Sequence, residues 1–369
     1  MALEEDSHID CLGGRGGVPE FDLLGFLVQW LTIFGLYSIL AITLNLEAGF
    51  AGLTNFGKVV FYGIGAYVGA TLTTYLTLYL NNIDPFECPP YSIDGIVKLI
   101  ELGGKSPPLS IGLLALSLIT AFIAAGSAGF LLTYPILRVG PAFVGFTLLS
   151  FGELMRIFLR HYEPVGGSKG LAAIPRPFGW VGDPKLSGFL FLLLVLGLVA
   201  LTYITMSRLT NSPMGRMLRA VRDDEIAALC LGKHVPKIKA LTLFIGSGFS
   251  GMAGALMAYY FTSVNPDMFV PAVTFNVWAM VILGGMGNFT GSIIGVALFT
   301  LVDRLLAFIT PTIGVTAISP DYIRWMFVGL LIVMVLLFMP KGLLAERPLK
   351  TPAVDEARKL LVEGGSGSA

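Results

Sequence analysis

The chain has 369 residues, 55% of them hydrophobic and 13% charged, with a mean hydropathy of +0.79; a soluble globular domain carries about 25% charged residues, so this composition excludes one and places the chain in a bilayer. Its 24 basic and 24 acidic side chains cancel to a formal net charge of zero, which leaves no basic field for a nucleic-acid partner. Cys11, Cys88 and Cys230 show no C-x-x-C or Cys/His spacing, so no metal or redox centre is expected; whether Cys11 and Cys88 pair stays open.

Residues 1–20, with Glu4, Glu5, Asp6 and Asp10, read as a short disordered arm. Crossing hydrocarbon as a helix takes about 20 apolar residues. Runs of that kind are predicted near 22–44, 56–80, 109–132, 141–160, 187–207, 239–261, 289–309 and 322–340, with a shorter one at 274–287 that opens into Gly284-Gly285-Met286-Gly287. Stretches such as Ile111 to Leu132 are apolar on every face, against the alternation a membrane barrel requires. The expected fold class is an all-α integral membrane protein, a polytopic helical bundle of about 8–10 transmembrane segments with a short or re-entrant helix near 274–287.

Charge distribution sets an expected orientation. Arg208, Arg216, Arg219, Arg222, Lys233, Lys237 and Lys239 occupy one joint, and Lys341, Arg347, Lys350, Arg358 and Lys359 the C-terminal tail, so both are expected to be cytoplasmic. The loop Asn81–Pro108, with Asp84, Glu87, Asp94 and Glu101, then falls outside together with the N-terminus.

Polar residues among apolar runs need a reason. The glycine-punctuated stretch from Leu44 to Lys58 reads either as irregular backbone lining a route through the membrane or as an ordinary turn; on the first reading Asn45, Glu47, Thr54 and Asn55, with Asn276 further on, are candidate pathway residues. Gly63, Gly65 and Gly69, and Gly246, Gly248, Gly251 and Gly254, read as close helix-packing surfaces. Glu153 and Arg156, three apart, are expected to form a structural ion pair, a transported-ion site being the alternative. Asp303, Arg304, Asp321 and Arg324 are expected to cluster at the outer interface.

The stretch Ser212–Gly232 reads as one cytoplasmic helical insert: Ser212 is an N-cap, Pro213 the first helical residue and Gly232 a stop. Met214, Met217, Leu218 and Val221 form an apolar stripe opposite Arg216, Arg219 and Asp223. A groove on a partner protein is the expected cover for that stripe, and the lipid interface the alternative.

Here a resemblance enters. Glu225-Ile226-Ala227-Ala228-Leu229-Cys230-Leu231-Gly232 is similar to the "EAA…G" loop of ATP-binding-cassette (ABC) importer permeases, and Ser212–Gly232 as a whole resembles the version in branched-chain amino-acid permeases of the LivM type. In the same order, Asn45-Leu46 with Gly49, Gly52, Gly57 and Phe61-Tyr62-Gly63-Ile64-Gly65-Ala66-Tyr67 resembles the family's N-terminal signature, and Leu283 to Gly287 with Gly291 and Gly295 its C-terminal one. Phe338-Met339-Pro340-Lys341-Gly342-Leu343 resembles its ending. Two residues depart from the pattern: Lys58, where a histidine or glutamine is expected, and Glu47, where a neutral residue is usual.

The resemblance implies a pore subunit that pairs with a homologous second permease, two cytoplasmic ATPase subunits that hold ATP and magnesium, and an extracytoplasmic solute-binding protein, in a prokaryotic inner membrane. The implied division is a disordered arm (1–20), one transmembrane permease domain (21–345) and a cytoplasmic tail (346–369) ending in the linker-like Gly364–Ala369. The ATPase-coupling residues it implies are Ser212, Pro213, Met214, Gly215, Met217, Leu218, Val221, Glu225, Ala227, Ala228 and Gly232. No G-x-x-x-x-G-K-[ST] loop occurs and no catalytic constellation is visible, so no cofactor, metal or enzyme activity is expected of this chain. Urea, amide or sugar permeases of the same superfamily, and an ion-coupled transporter, are the alternatives.

Overall fold

The computed structural model describes residues 23–85, 87–102, 107–140 and 143–312, and, toward the C-terminus, residues 326, 329, 330, 333, 334, 337, 338 and 342–346. The arm 1–20 with Cys11, most of the segment expected at 322–340, Asp321, Arg324 and the tail beyond 346 lie outside the described residues.

The described chain is helical almost throughout. Its order is α1 (Leu23–Asn45), α2 (Lys58–Leu80), α3 (Ile93–Leu102), α4 (Pro107–Leu137), α5 (Val144–His161), β1 (Leu171–Ala172), α6 (Pro184–Asn211), α7 (Pro213–Asp223), α8 (Glu225–Cys230), α9 (Val235–Phe261), β2 (Ser263–Val264), α10 (Pro271–Gly284) and α11 (Phe289–Thr312). Seven helical stretches among the described residues are long and apolar enough to span a bilayer: Leu23–Phe50, Lys58–Leu80, Pro107–Leu137, Pro184–Asn211, Val235–Phe261, Pro266–Gly284 and Phe289–Ala307. The chain is therefore a polytopic helical membrane protein. Helix α5 reaches 18 residues but is more polar, because it carries Glu153, Arg156 and Arg160. The short segment expected at 274–287 is α10, which ends at Gly284.

One helix was not expected. The loop after Asn81 contains α3, opened by Ser92, whose hydroxyl accepts a hydrogen bond from Gly95 N at 3.0 Å. Its missed signal was this serine cap ahead of a ten-residue amphipathic run.

Helices α2, α4 and α9 form the tightest part of the bundle, and α1 packs against α6, α9, α10 and α11. Small residues permit the approach, as expected. A Cβ on Gly65 would lie 2.0 Å from the Gly251 carbonyl oxygen, and one on Gly254 would lie 1.9 Å from that of Tyr62. Hydroxyls add polar ties across the contact: Thr73 Oγ1 and Tyr259 Oη are 2.6 Å apart, and Tyr259 donates to Ser117 Oγ at 2.9 Å. Outward, large apolar residues such as Ile119 and Ile123 of α4 and Phe189, Leu193 and Leu201 of α6 are exposed, the pattern of a surface solvated by lipid. The two ends of the bundle differ: α7 and α8 cap one, and the antiparallel β1–β2 pair sits at the other.

Gly254→Val is expected to destabilise the detergent-purified protein by about 1–3 kcal/mol or more, as overpacking generally does, read as a lower thermal unfolding midpoint. Gly112→Ala, whose Cβ would meet nothing within 4 Å, should leave that midpoint in place.

Candidate functional site

Helix α1 does not end in solvent. Its last turn widens into a π-type turn at Leu46–Phe50, where Ala51 N reaches Leu46 O at 3.2 Å and Leu53 N reaches Glu47 O at 2.8 Å. The chain then doubles back to start α2 at Lys58. Hydrocarbon offers backbone and charged groups no partners, so such a break must satisfy itself internally.

It does so through a fully buried polar knot. Glu47 Oε1 pairs with Lys58 Nζ at 2.7 Å, and Glu47 Oε2 accepts from Asn55 Nδ2 at 2.8 Å. Lys58 also donates to the Gly246 carbonyl of α9 at 3.3 Å. Asn55 accepts from Gly57 N at 2.9 Å through its side chain and from Trp278 Nε1 of α10 at 2.9 Å through its carbonyl. Asn45 accepts from Gly287 N at 2.8 Å and donates to Asn288 O at 3.0 Å and Ser292 Oγ at 2.7 Å. Thus the α1–α2 break is fastened to a second break, between α10 and α11.

This changes the reading of the candidate pathway residues. Asn45, Glu47 and Asn55 are buried fasteners whose polar atoms are taken by protein partners, Thr54 is exposed, and Asn276 is half-buried on α10. The structure does not bring the five together around one cavity. The two residues that depart from the resembled pattern meet in the structure, where Lys58 neutralises Glu47. A carboxylate and an ammonium flanking one glycine-rich joint were the available signal, and only the reversal of the chain makes them meet.

The insert between α6 and α9 also differs from expectation. It is two helices: Asp224 interrupts it in an extended conformation, and its side chain caps α8 by accepting from Ile226 N at 2.9 Å and Ala227 N at 3.0 Å. The expected cap at Ser212 is present, accepting from Met214 N at 3.2 Å, with Pro213 at the first turn and Gly232 at φ +74° beyond the end. Leu218 and Val221, expected to fill a partner's groove, are buried against this chain's own bundle with Gly215, and Met214 and Met217 pack beside them. The bundle covers the stripe because α7 folds back under α6 and the π-turn. Arg219, expected on the solvated side, lies over the Phe50 ring at 5.1 Å. The apolar residues left exposed belong to α8 and its end: Ile226 (74%), Leu229 and Leu231 (77%). Within the insert, Ala228 is buried, Ala227 is exposed, and Glu225 pairs with Lys239.

Toward the β1–β2 end, α2 and α5 leave a groove of about 1280 Å³ between them. Ile64, Val68 and Leu72 of α2 and Met155 and Leu159 of α5 make it apolar, and the rings of Tyr67, Tyr75 and Tyr162 complete its lining. The Tyr67 hydroxyl is buried and has no hydrogen-bond partner among the described residues. Beside the groove, the expected Glu153–Arg156 pair forms at 2.7 Å, and Asp267, which follows β2, joins it by binding both Arg156, at 3.4 Å, and Arg160. Cys88 is a buried free thiol and Cys230 an exposed one. Among the described residues no group of His, Cys, Asp and Glu could hold a metal ion.

A bundle with two internally fastened breaks, a helical insert at one end and an apolar groove toward the other defines a multi-pass membrane permease rather than a receptor anchored by single spans. The chain belongs to the family described as branched-chain amino acid transport system / permease component, whose model matches residues 26–337. It is 32% identical over 341 residues to a probable branched-chain amino acid transport permease protein LivM of Methanocaldococcus jannaschii, covering 90% of this chain and 96% of that one. It is 30% identical to the high-affinity branched-chain amino acid transport system permease protein LivM of Escherichia coli K12, covering 86% of this chain and 69% of the relative. Against the corresponding BraD of Pseudomonas aeruginosa the identity is 26%, over 89% and 97% of the two chains. No solved structure matches the chain significantly.

Lys58→Met leaves Glu47 buried without its counter-charge and is expected to destabilise the protein by about 3–5 kcal/mol. Adding Glu47→Gln should recover most of that loss, because the amide oxygen still accepts from Asn55. Thermal unfolding of the two variants in detergent measures both effects, and a double variant no more stable than Lys58→Met alone would contradict the pairing.

Proposed function

We propose that this chain is a pore subunit of an ABC importer that moves branched-chain amino acids into the cell. The observation that carries the reading is the α7–α8 insert: one face is folded onto the bundle, and α8 presents Ile226, Leu229 and Leu231 outward with no cover of their own. A cytoplasmic ATPase subunit is the partner of suitable kind, because a permease of this family needs an energy source and this chain has no phosphate loop to hold ATP itself. ATP and magnesium then sit on the two ATPase subunits. A homologous second permease covers the uncovered face of α2 and α5, and an extracytoplasmic solute-binding protein delivers substrate at the β1–β2 end. The apolar groove suits aliphatic side chains. The relatives' names supply the substrate class. The permease domain is taken as 21–345, with the N-terminus outside and the tail in the cytoplasm.

The reconstituted complex is expected to accumulate leucine, isoleucine and valine only with ATP inside the vesicle, and to ignore urea and ribose. Each large apolar side chain buried at an interface is worth about 1.5–3 kcal/mol, so Leu229→Asp should weaken ATPase binding at least about tenfold. Co-purification in detergent reads this directly: full ATPase stoichiometry with Leu229→Asp would remove α8 from the interface. Leu218→Asp should instead reduce the yield of folded permease itself, since it puts a carboxylate into the bundle.

Orientation has its own measurement. In a chain without Cys11 and Cys88, the native Cys230 is expected to resist a membrane-impermeant thiol reagent applied to intact cells, while a cysteine in place of the exposed Ile93 reacts. Labelling at Cys230 instead would invert the topology.

A further inference from the structure

The chain binds its two breaks to α7 through one arginine. Arg222, on the bundle side of α7, donates from Nη1 to the Gly49 carbonyl inside the π-turn. The same nitrogen reaches both carboxylate oxygens of Glu346, at 3.1 and 3.0 Å. Glu346 closes a five-residue strap, Gly342–Glu346, that lies along the second break. Leu343 N donates to Leu283 O and Leu344 N to Gly284 O, each at 3.0 Å, and Asn288 Nδ2 donates to Ala345 O at 3.4 Å. These bonds cap the last carbonyls of α10, where the helix stops at Gly284 and the chain must turn into α11. Close packing reinforces the arrangement: a Cβ on Gly52 would lie 3.1 Å from Arg222, and one on Gly287 would lie 2.8 Å from Glu346. Arg219, one turn earlier, adds a 3.7 Å approach to Glu346 and its contact with Phe50, which stacks on Phe289 of α11 at 4.8 Å.

Partial burial lowers the Arg222 pKa, but its hydrogen bonds and charge interactions with Glu346 and Asp223 outweigh that and hold it above the usual arginine value. The guanidinium is thus a permanent charge.

We infer that Arg222 and Glu346 are positioning residues for transport, which transmit displacement of the α7–α8 insert to the α1–α2 break through the Gly49 carbonyl and to the α10–α11 break through the 342–346 strap. The inference rests on the reading that the insert meets an ATPase. Its physical content is that a planar guanidinium with several donors can hold two separate segments at once, so α7 cannot shift without moving both. Asn45 already locks the breaks to one another, so the two respond as one body. The insert's exposed α8 face is then the input, and the buried knot the output.

The test uses the complete complex in proteoliposomes with loaded binding protein, and measures uptake and ATP hydrolysis in parallel. Arg222→Met removes both ties and Glu346→Gln weakens one. In both variants the ATPase subunits are expected to co-purify at full stoichiometry and hydrolysis to continue, while uptake per ATP falls about tenfold in Arg222→Met and by less in Glu346→Gln, in the range of ordinary coupling between sites. Arg222→Lys, which keeps the charge on a point-like head, should lie between Arg222→Met and the wild type. An unchanged ratio of uptake to hydrolysis in Arg222→Met overturns the inference, as does loss of the ATPase subunits in step with uptake, which would make Arg222 a docking residue. Should Arg222→Met fail to accumulate, the near-isosteric Glu346→Gln decides alone by the same ratio. A wild-type complex with no ATP-dependent uptake would overturn the proposed function first, and the inference with it.

Discussion

The structure depends on how it ends a helix inside a membrane protein. A broken helix exposes carbonyls and amides that hydrocarbon cannot satisfy, and α1 breaks at Leu46. The solution is a buried carboxylate–ammonium pair, Glu47 with Lys58, framed by two asparagines. A buried pair of this kind adds little net stability, because desolvation offsets most of its attraction. What it adds is registry: among the described residues Glu47 pairs with the Lys58 ammonium alone, which ties the start of α2 to the π-turn. Helices α9, α10 and α11 are held to the same point by Gly246 O, Trp278 and Ser292.

Around that point the bundle is packed unevenly, and the unevenness is informative. Helices α2, α4 and α9 approach through glycine and alanine and are tied by hydroxyls, which suits a lipid environment where apolar burial alone drives little association. Away from α9, α2 turns a row of apolar and aromatic residues toward α5 without closing on it. The polar cluster of Glu153, Arg156, Arg160 and Asp267 stands beside this opening, with each charge matched by an opposite one. Close packing on one side of α2 thus contrasts with an open groove on the other.

The insert is divided in the same way. Helix α7 is part of the bundle by burial, whereas α8, set off by the extended residue Asp224, seats only Ala228 in the core. An element with one face locked to the bundle and another exposed is suited to take up force from outside. The locked face is where Arg222 reaches the π-turn, so contact at α8 and geometry at the breaks are joined within a few residues.

By itself the sequence determined most of the scaffold. Long apolar runs can only be helices in a bilayer, and spans near 22–44, 56–80 and 239–261 were legible because hydropathy depends on composition alone. Capping is equally local, which is why Ser212, Pro213 and Gly232 marked the limits of the insert. The small-residue positions on α2 and α9 could be read as packing surfaces for a similar reason: a missing side chain in an apolar helix is most useful where another helix comes close. What the tertiary structure decided was every question of partner. Amphipathic spacing shows that Leu218 and Val221 must be buried, but not whether a neighbour in the same chain or another protein buries them; the return of α7 under α6 settled it in favour of the chain itself. Glu47 and Lys58 stood out as departures in the sequence, and became a pair only when the π-turn reversed the chain and brought their charged groups within 2.7 Å. Local chemistry states what a residue needs, and only the three-dimensional path of the chain determines which other residue supplies it.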